Sequence, residues 1–202
     1  MRKFIIFIIC LSVSFISFAQ ILDNIDEVYP FNGDFAAIKK GNQWAFINKN
    51  GEKIIDFRDD LVLSNVTTET TRPKASFFPI FRDGRCLIKR EIDGKYYYGY
   101  IDEKGSEVIT PQYLNASNFL KGYAIIVKHL KDTIGYNKVL KKNVISYKLE
   151  EYIIDTKGEI VKYLLTRNYI KSKNTLKIQS KFIAPHLIAV KNEDNKWDIY
   201  NF

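Results

Sequence analysis

Three times along this chain a short apolar or aromatic run ends in Asn or Asp with a glycine three residues later: Asn48-Lys49-Asn50-Gly51, Asp102-Glu103-Lys104-Gly105 and Asp155-Thr156-Lys157-Gly158. The spacing has a mechanical meaning. The short side chain accepts a backbone N–H inside the turn, and the glycine enters the left-handed region without steric cost, so the chain reverses tightly. The flanking runs are rich in Ile, Val, Tyr and Phe, which pack well on a pleated surface, and they show almost no helical period. The chain is therefore expected to be all-β, made of antiparallel hairpins.

Self-alignment extends the pattern upstream of each turn. A first unit opens at Phe31-Asn32-Gly33, runs from Phe35 to Lys39, and returns through Trp44 to Gly51 and Ile55. A second opens at Phe81-Arg82-Asp83-Gly84, runs from Cys86 to Lys89, and returns from Tyr98 to Pro111. A third opens at Phe119, runs from Tyr123 to Lys128, and resumes at Tyr152 to Val161. Phe182 to Lys191, followed by Trp197 to Asn201, reads as a truncated fourth copy whose Trp197 takes the place of Trp44. The expected architecture is thus an irregular array of three full hairpin units and one truncated unit, each stacked on its neighbours. Two insertions disturb the spacing. Residues 60–74, with Asn65, Thr67, Thr68, Thr70, Thr71 and Pro73, read as a loop or irregular edge. Residues 131–149 part the strands of the third unit, and Ile134, Tyr136, Val139, Val144, Ile145 and Tyr147 suffice for an extra hairpin.

The second unit carries a family likeness. Gly94-Lys95 leads to Tyr98-Gly99-Tyr100-Ile101-Asp102, a glycine turn, Val108-Ile109-Thr110-Pro111-Gln112-Tyr113 and then Phe119-Leu120-Lys121-Gly122-Tyr123-Ala124-Ile125-Ile126. This resembles a diverged WG repeat, in which Gly-Lys-Trp-Gly-Tyr-Ile-Asp precedes a glycine turn, a strand ending in Pro-x-Tyr, and Phe-x-x-Gly-x-Ala-x-Val. Tyr98-Gly99 stands where the family has Trp-Gly, Trp44 is followed by Ala45, and Trp197 by Asp198. The resemblance implies an array of β-hairpins in a bacterial exported or surface protein, generally non-enzymatic.

The N-terminus supports export independently. Arg2 and Lys3 precede an apolar run from Phe4 to Phe18, and Ser17-Phe18-Ala19 supplies small residues for cleavage after Ala19. Residues 1–19 are read as a signal peptide and 20–202 as a single β-repeat domain, secreted or held in the periplasm or cell envelope. Residues 20–202 hold no second apolar stretch long enough to span a membrane. Removing 1–19 also leaves Cys86 as the only cysteine, which excludes an intramolecular disulfide and suits a small buried hydrophobe. The net charge of +8 is spread along the strands, densest at Lys138, Lys141 and Lys142. That distribution argues against a nucleic-acid cleft and leaves open acidic polysaccharide, anionic headgroups or an acidic protein.

No nucleophile elbow, zinc helix, phosphate loop or dinucleotide fingerprint occurs. His129 and His186 stand alone, Asp102-Glu103-Lys104-Gly105 is short of oxygen ligands for calcium, and no metal or cofactor is expected. Glu150 and Glu151 are adjacent, so strand alternation points them apart. The reading is a non-enzymatic binding or scaffold module for a protein partner, with carbohydrate or surface-polymer binding through exposed aromatic rings as the alternative. Candidate contact residues are Tyr96, Tyr98 and Tyr100, which share one strand face, and Lys138, Lys141 and Lys142, which would steer an acidic partner. Specificity is expected to reside in the two insertions.

Overall fold

A computed structural model describes residues 22–67, 75–168 and 176–202. The proposed signal peptide, and Thr68, Thr70, Thr71 and Pro73 of the first insertion, lie outside the described residues. All regular elements among the described residues are strands. β1 (Glu27–Val28), β2 (Ala36–Lys40), β3 (Gln43–Ile47) and β4 (Lys53–Arg58) form the first antiparallel sheet in that order. β5 (Ser64–Thr67) and β6 (Ala75–Phe78) form a separate two-stranded hairpin. The second sheet holds β7 (Phe81–Arg82), β8 (Arg85–Ile92), β9 (Lys95–Ile101) and β10 (Glu107–Tyr113), and the third β11 (Asn115–Ala116), β12 (Tyr123–Asn137), β13 (Lys142–Asp155) and β14 (Ile160–Asn168). β15 (Ser180–Ala184), β16 (Leu187–Lys191) and β17 (Trp197–Asn201) make the fourth.

The repeated turns form as their sequence requires. Asp102 Oδ1 accepts the N–H groups of Lys104 and Ser106, both at 2.9 Å, and Gly105 sits at φ +82°. Asn48 and Asp155 make the same pairs of bonds, with Gly51 and Gly158 also at positive φ. A fourth turn of this kind escaped the glycine rule. Asn192 Oδ1 accepts from Asp194 and Lys196, while Asn195, at φ +61°, takes the glycine position. Asparagine tolerates the left-handed region where most residues do not.

That turn corrects the reading of the fourth unit. It follows β16, so β16 is the counterpart of β3, β9 and β13, and this sheet has three strands where each of the other three repeat sheets has four, as a truncated unit would. Trp197 lies on the third strand, opposite Lys191, and does not correspond to Trp44.

Each sheet buries one side against the next. Phe46 and Ile55 of the first sheet pack with Phe81, Cys86, Ile88 and Ile101 of the second. Leu87, Tyr100, Ile109 and Tyr113 of the second pack with Ala124, Ile126 and Ile154 of the third. Ile125 and Ile153 of the third meet Ile188 and Val190 of the fourth. Position by position this reveals an inversion. Two residues before the turn, Phe46, Tyr100 and Ile153 each face the following sheet, whereas the equivalent Val190 faces the preceding one. The fourth sheet is turned over relative to the other three. A strand's side-chain period of two makes such a flip possible without changing the turn.

Both insertions differ from expectation. The strands of the third unit do not end at Lys128 and restart. β12 and β13 pair without interruption from Tyr123↔Asp155 to Asn137↔Lys142, apart from one bulge between Thr133 and Gly135. Residues 131–149 are thus the outer half of one long hairpin, not an additional one. In the first insertion, Leu61 is buried in the core and bridges Ile88, Val62 N–H donates to Leu87, and Ser64–Thr67 pairs with Ala75–Phe78. Polar composition suggested a loop or irregular edge, but Leu61 and Val66 have apolar neighbours that composition does not show.

Candidate functional site

The tyrosine run of β9 is graded from core to solvent. Tyr100 pairs with Leu87, is fully buried, and donates its hydroxyl to Ser117 O at 2.7 Å. Burial raises its pKa well above the ordinary value of 10.0. Tyr100 therefore corrects the expected three-ring ladder, because a ring closed on all sides can stack on no partner. Tyr98 is half-buried, and Tyr96 is exposed with Lys89 Nζ 4.8 Å from its ring centre.

Tyr96 and Tyr98 line a cleft of about 410 Å³ with Leu114, Asn115, His129 and Leu176. Asn115 Nδ2 already donates to Leu176 O at 2.7 Å. His129 stacks at 4.7 Å on Tyr147, and burial, followed by the charge of Lys95, lowers its pKa from 6.5. Tyr96 also borders an open groove of about 800 Å³ between the first and second sheets. Its charges are largely matched in place: Arg58 pairs with Asp60 at 2.6 Å and donates to Gly105 O, while Arg90 pairs with Glu107.

The one fully buried carboxylate among the described residues is Glu151 on β13. It pairs with Arg167 of β14 and accepts from Gln179 N at 2.8 Å, Ser180 N at 3.1 Å and Ser180 Oγ at 2.7 Å. Glu150 points the other way, accepting from Tyr152 Oη at 2.6 Å. The adjacent carboxylates are thus parted by alternation, and Glu151 ties the third sheet to the start of the fourth. Nothing local in the sequence marks it, since its partners lie 16 to 29 residues away. Cys86 is wholly buried, and burial pushes its thiol far above the usual range. No group of three or more His, Cys, Asp or Glu able to hold a metal ion occurs among the described residues.

Two exposed surfaces remain. Lys138, Lys141 and Lys142 cluster around the turn at the end of the β12–β13 hairpin, far from Tyr96 and Tyr98 in the strand pairing. The outer face of the fourth sheet exposes Leu187, Trp197 and Ile199 around the buried Ala189, placed together by the pairs Ala189↔Ile199 and Lys191↔Trp197. Lys181 and Lys191 lie over the Trp197 ring at 4.5 and 5.5 Å. Sequence reasoning missed this second surface by assigning Trp197 to the wrong strand. The alternation Trp197-Asp198-Ile199 was the available signal.

Comparison with known families agrees with this architecture. A family model described as WG containing repeat matches residues 24–44 and 98–129, as a diverged WG repeat protein would. The second match runs from the end of β9 through β10 and β11 into β12, so it straddles two sheets. Within it fall Tyr100, Ile109, Tyr113, Ala116, Phe119, Ala124 and Ile126, the bulk of the cluster between those sheets. This match therefore spans a seam, whereas the match at 24–44 lies within the first sheet. No curated protein and no solved structure matches the chain. The match supports a repeat protein of this kind. No helix among the described residues is long and apolar enough to cross a membrane.

Proposed function

We propose that the chain is an exported, non-enzymatic binding or scaffold module, and that a protein partner docks on the outer face of its fourth sheet. The observation carrying this reading is the flat patch of Leu187, Trp197 and Ile199, each at least partly open to solvent, rimmed by Lys181 and Lys191. An exposed aromatic anchor with apolar neighbours and a charged rim is the composition of a protein-binding hot spot. Export is supported by the charge and hydropathy pattern of residues 1–19. N-terminal sequencing of material recovered outside the cytoplasm should begin at or near Gln20, and retention of Met1 there would overturn it.

The docking surface is tested with the double variant Trp197→Asp, Ile199→Asp. Cross-linking of the wild-type chain in envelope extracts, read by mass spectrometry, should place links to one dominant protein around β16 and β17. The variant should lose those links while keeping its melting temperature. Unchanged links would reject this face.

One arrangement favours carbohydrate as a second reading. Tyr96 and Tyr98 present ring surface inside a cleft that also holds Asn115 and Lys95, and sugar rings stack on such faces. A glycan panel decides it: retention of a soluble glycan by the wild type and its loss in Tyr96→Ala would move this reading ahead.

A further inference from the structure

The end of the long β12–β13 hairpin combines features no other part of the molecule shares. Beyond Leu130 and Lys148 the two strands run on as a ribbon with no third strand among the described residues, in which the pairing of β13 with β14 reaches Lys148↔Asn168. At the antiparallel rise per residue the unsupported part projects about 25 Å. Its apex is a fixed turn rather than a loose loop. Asn137 Oδ1 accepts the N–H groups of Val139 at 3.0 Å and Leu140 at 2.9 Å, and Lys141 takes a left-handed conformation at φ +50°.

That turn holds its apolar side chains outward. Val139 is 90% exposed, the highest value for any large hydrophobic residue among those described, and Leu140 is 66% exposed. Lys138, Lys141 and Lys142 flank them, and none of the three forms an ion pair among the described residues. Two residues below the apex Tyr136 stands 58% exposed opposite Asn143.

We propose that this lysine-collared tip docks on the surface of an anionic lipid bilayer, with Val139 and Leu140 entering the headgroup boundary. The shape decides against a protein partner: a specific protein interface needs roughly 800 Å² from each side, which a two-residue convex apex cannot supply against a rigid surface. A fluid bilayer closes around a narrow tip. The charge complements it, because lysines beside an inserted apolar pair keep their stems in the interface and their ammonium groups among anionic headgroups. The spacing fits as well. Tyr136 lies roughly 7–10 Å below the apex along the strand, the level where a ring with a polar tip is favoured when the residues above it insert. The proposal concerns a different surface from the outer face of the fourth sheet and does not depend on it.

Vesicle flotation of the whole chain tests this, with all variants in one background so that any contribution of residues 1–19 is common to all. The wild type should partition onto vesicles containing phosphatidylglycerol more than onto pure phosphatidylcholine, and high salt should narrow the difference. Val139→Ser with Leu140→Ser, which keeps every charge, should lower partition by roughly tenfold. Lys138→Gln with Lys142→Gln should lower it by roughly tenfold on anionic vesicles only. Melting temperatures should stay at the wild-type value, since the replaced side chains touch no core. Trp197→Asp with Ile199→Asp should partition normally, so failure of the fourth-sheet reading leaves this one standing. Equal partition onto both vesicle types, or unchanged partition of the Val139 and Leu140 variant, overturns the proposal. So does binding of a soluble polyanion that needs the lysines but not the apolar pair.

Discussion

The two halves of the β12–β13 hairpin share the same strands and the same ladder, yet they live under different rules. At the base, Ala124 to Val127 pair with Glu151 to Ile154, and sheets on both sides leave all of these but the partly buried Tyr152 essentially without exposure. In the outer half Ile134, Tyr136, Val144 and Tyr147 continue the same two strands among more polar neighbours, and all are exposed. Backbone pairing is therefore not what distinguishes core from surface here. The neighbour does: a ribbon face becomes core only where another sheet covers it, and hydrophobic stabilisation follows the covered area.

The sharpest test of that contrast is a matched pair of truncations. Ile153→Ala, in the seam between the third and fourth sheets, should cost about 3 kcal/mol through lost burial and a cavity. Val144→Ala on the ribbon should change stability by no more than about 0.5 kcal/mol. Chemical denaturation measures both, and similar losses would mean that the ribbon is covered in solution. Glu151→Ala should cost about 3 kcal/mol, because it removes the carboxylate that pairs with Arg167 and accepts from the N–H groups of Gln179 and Ser180 at the same base. A cost below about 1 kcal/mol would show that this network does not hold the fourth sheet.

A smaller effect sharpens the comparison between sheets. A methyl at Gly99 would clash with Ile109 O and sit 2.6 Å from Pro111 N, so Gly99→Ala should cost about 2 kcal/mol by forcing β10 away. The equivalent position three residues before the turn is Ala45 in the first sheet and Tyr152 in the third, where the third strand leaves room. The glycine of the second unit is thus a packing requirement of one sheet, not of the repeat.

The smallest expected effect lies at the junction of base and ribbon. His129 has its pKa lowered in the folded state by burial and Lys95, so below 6.5 the unfolded chain takes up the proton first. The His129 contribution is present above that value and is lost as pH falls through the lower folded one. Melting temperature should therefore drop slightly more in the wild type than in His129→Asn on going from about pH 7.5 to about pH 5. An identical pH profile for the two would remove His129 from the account.

Much of this was written locally. Asn48, Asp102 and Asp155 each bond to N–H groups two and four residues on, so their turns, and the strands ending at them, need no information from elsewhere in the chain. The opposed directions of Glu150 and Glu151 follow from the period of a strand, and the buried fate of Cys86 from the apolar run around it. The family likeness was legible for the same reason, because the matched segment encodes one seam continuously. The candidate sites were less so. Tyr96 and Tyr100 are four residues apart on one strand face, and one is half open while the other is closed, since only Tyr100 lies beneath Phe119.

Strand alternation in the sequence settles which residues share a face, but not which of the two faces will be covered. That choice depends on sheets contributed from tens of residues away. Hence the sequence alone determined hairpins, turns and the all-β class. The tertiary structure alone decided that the fourth sheet is turned over, that Trp197 points outward, and that the tip of the β12–β13 hairpin holds Val139 and Leu140 in solvent.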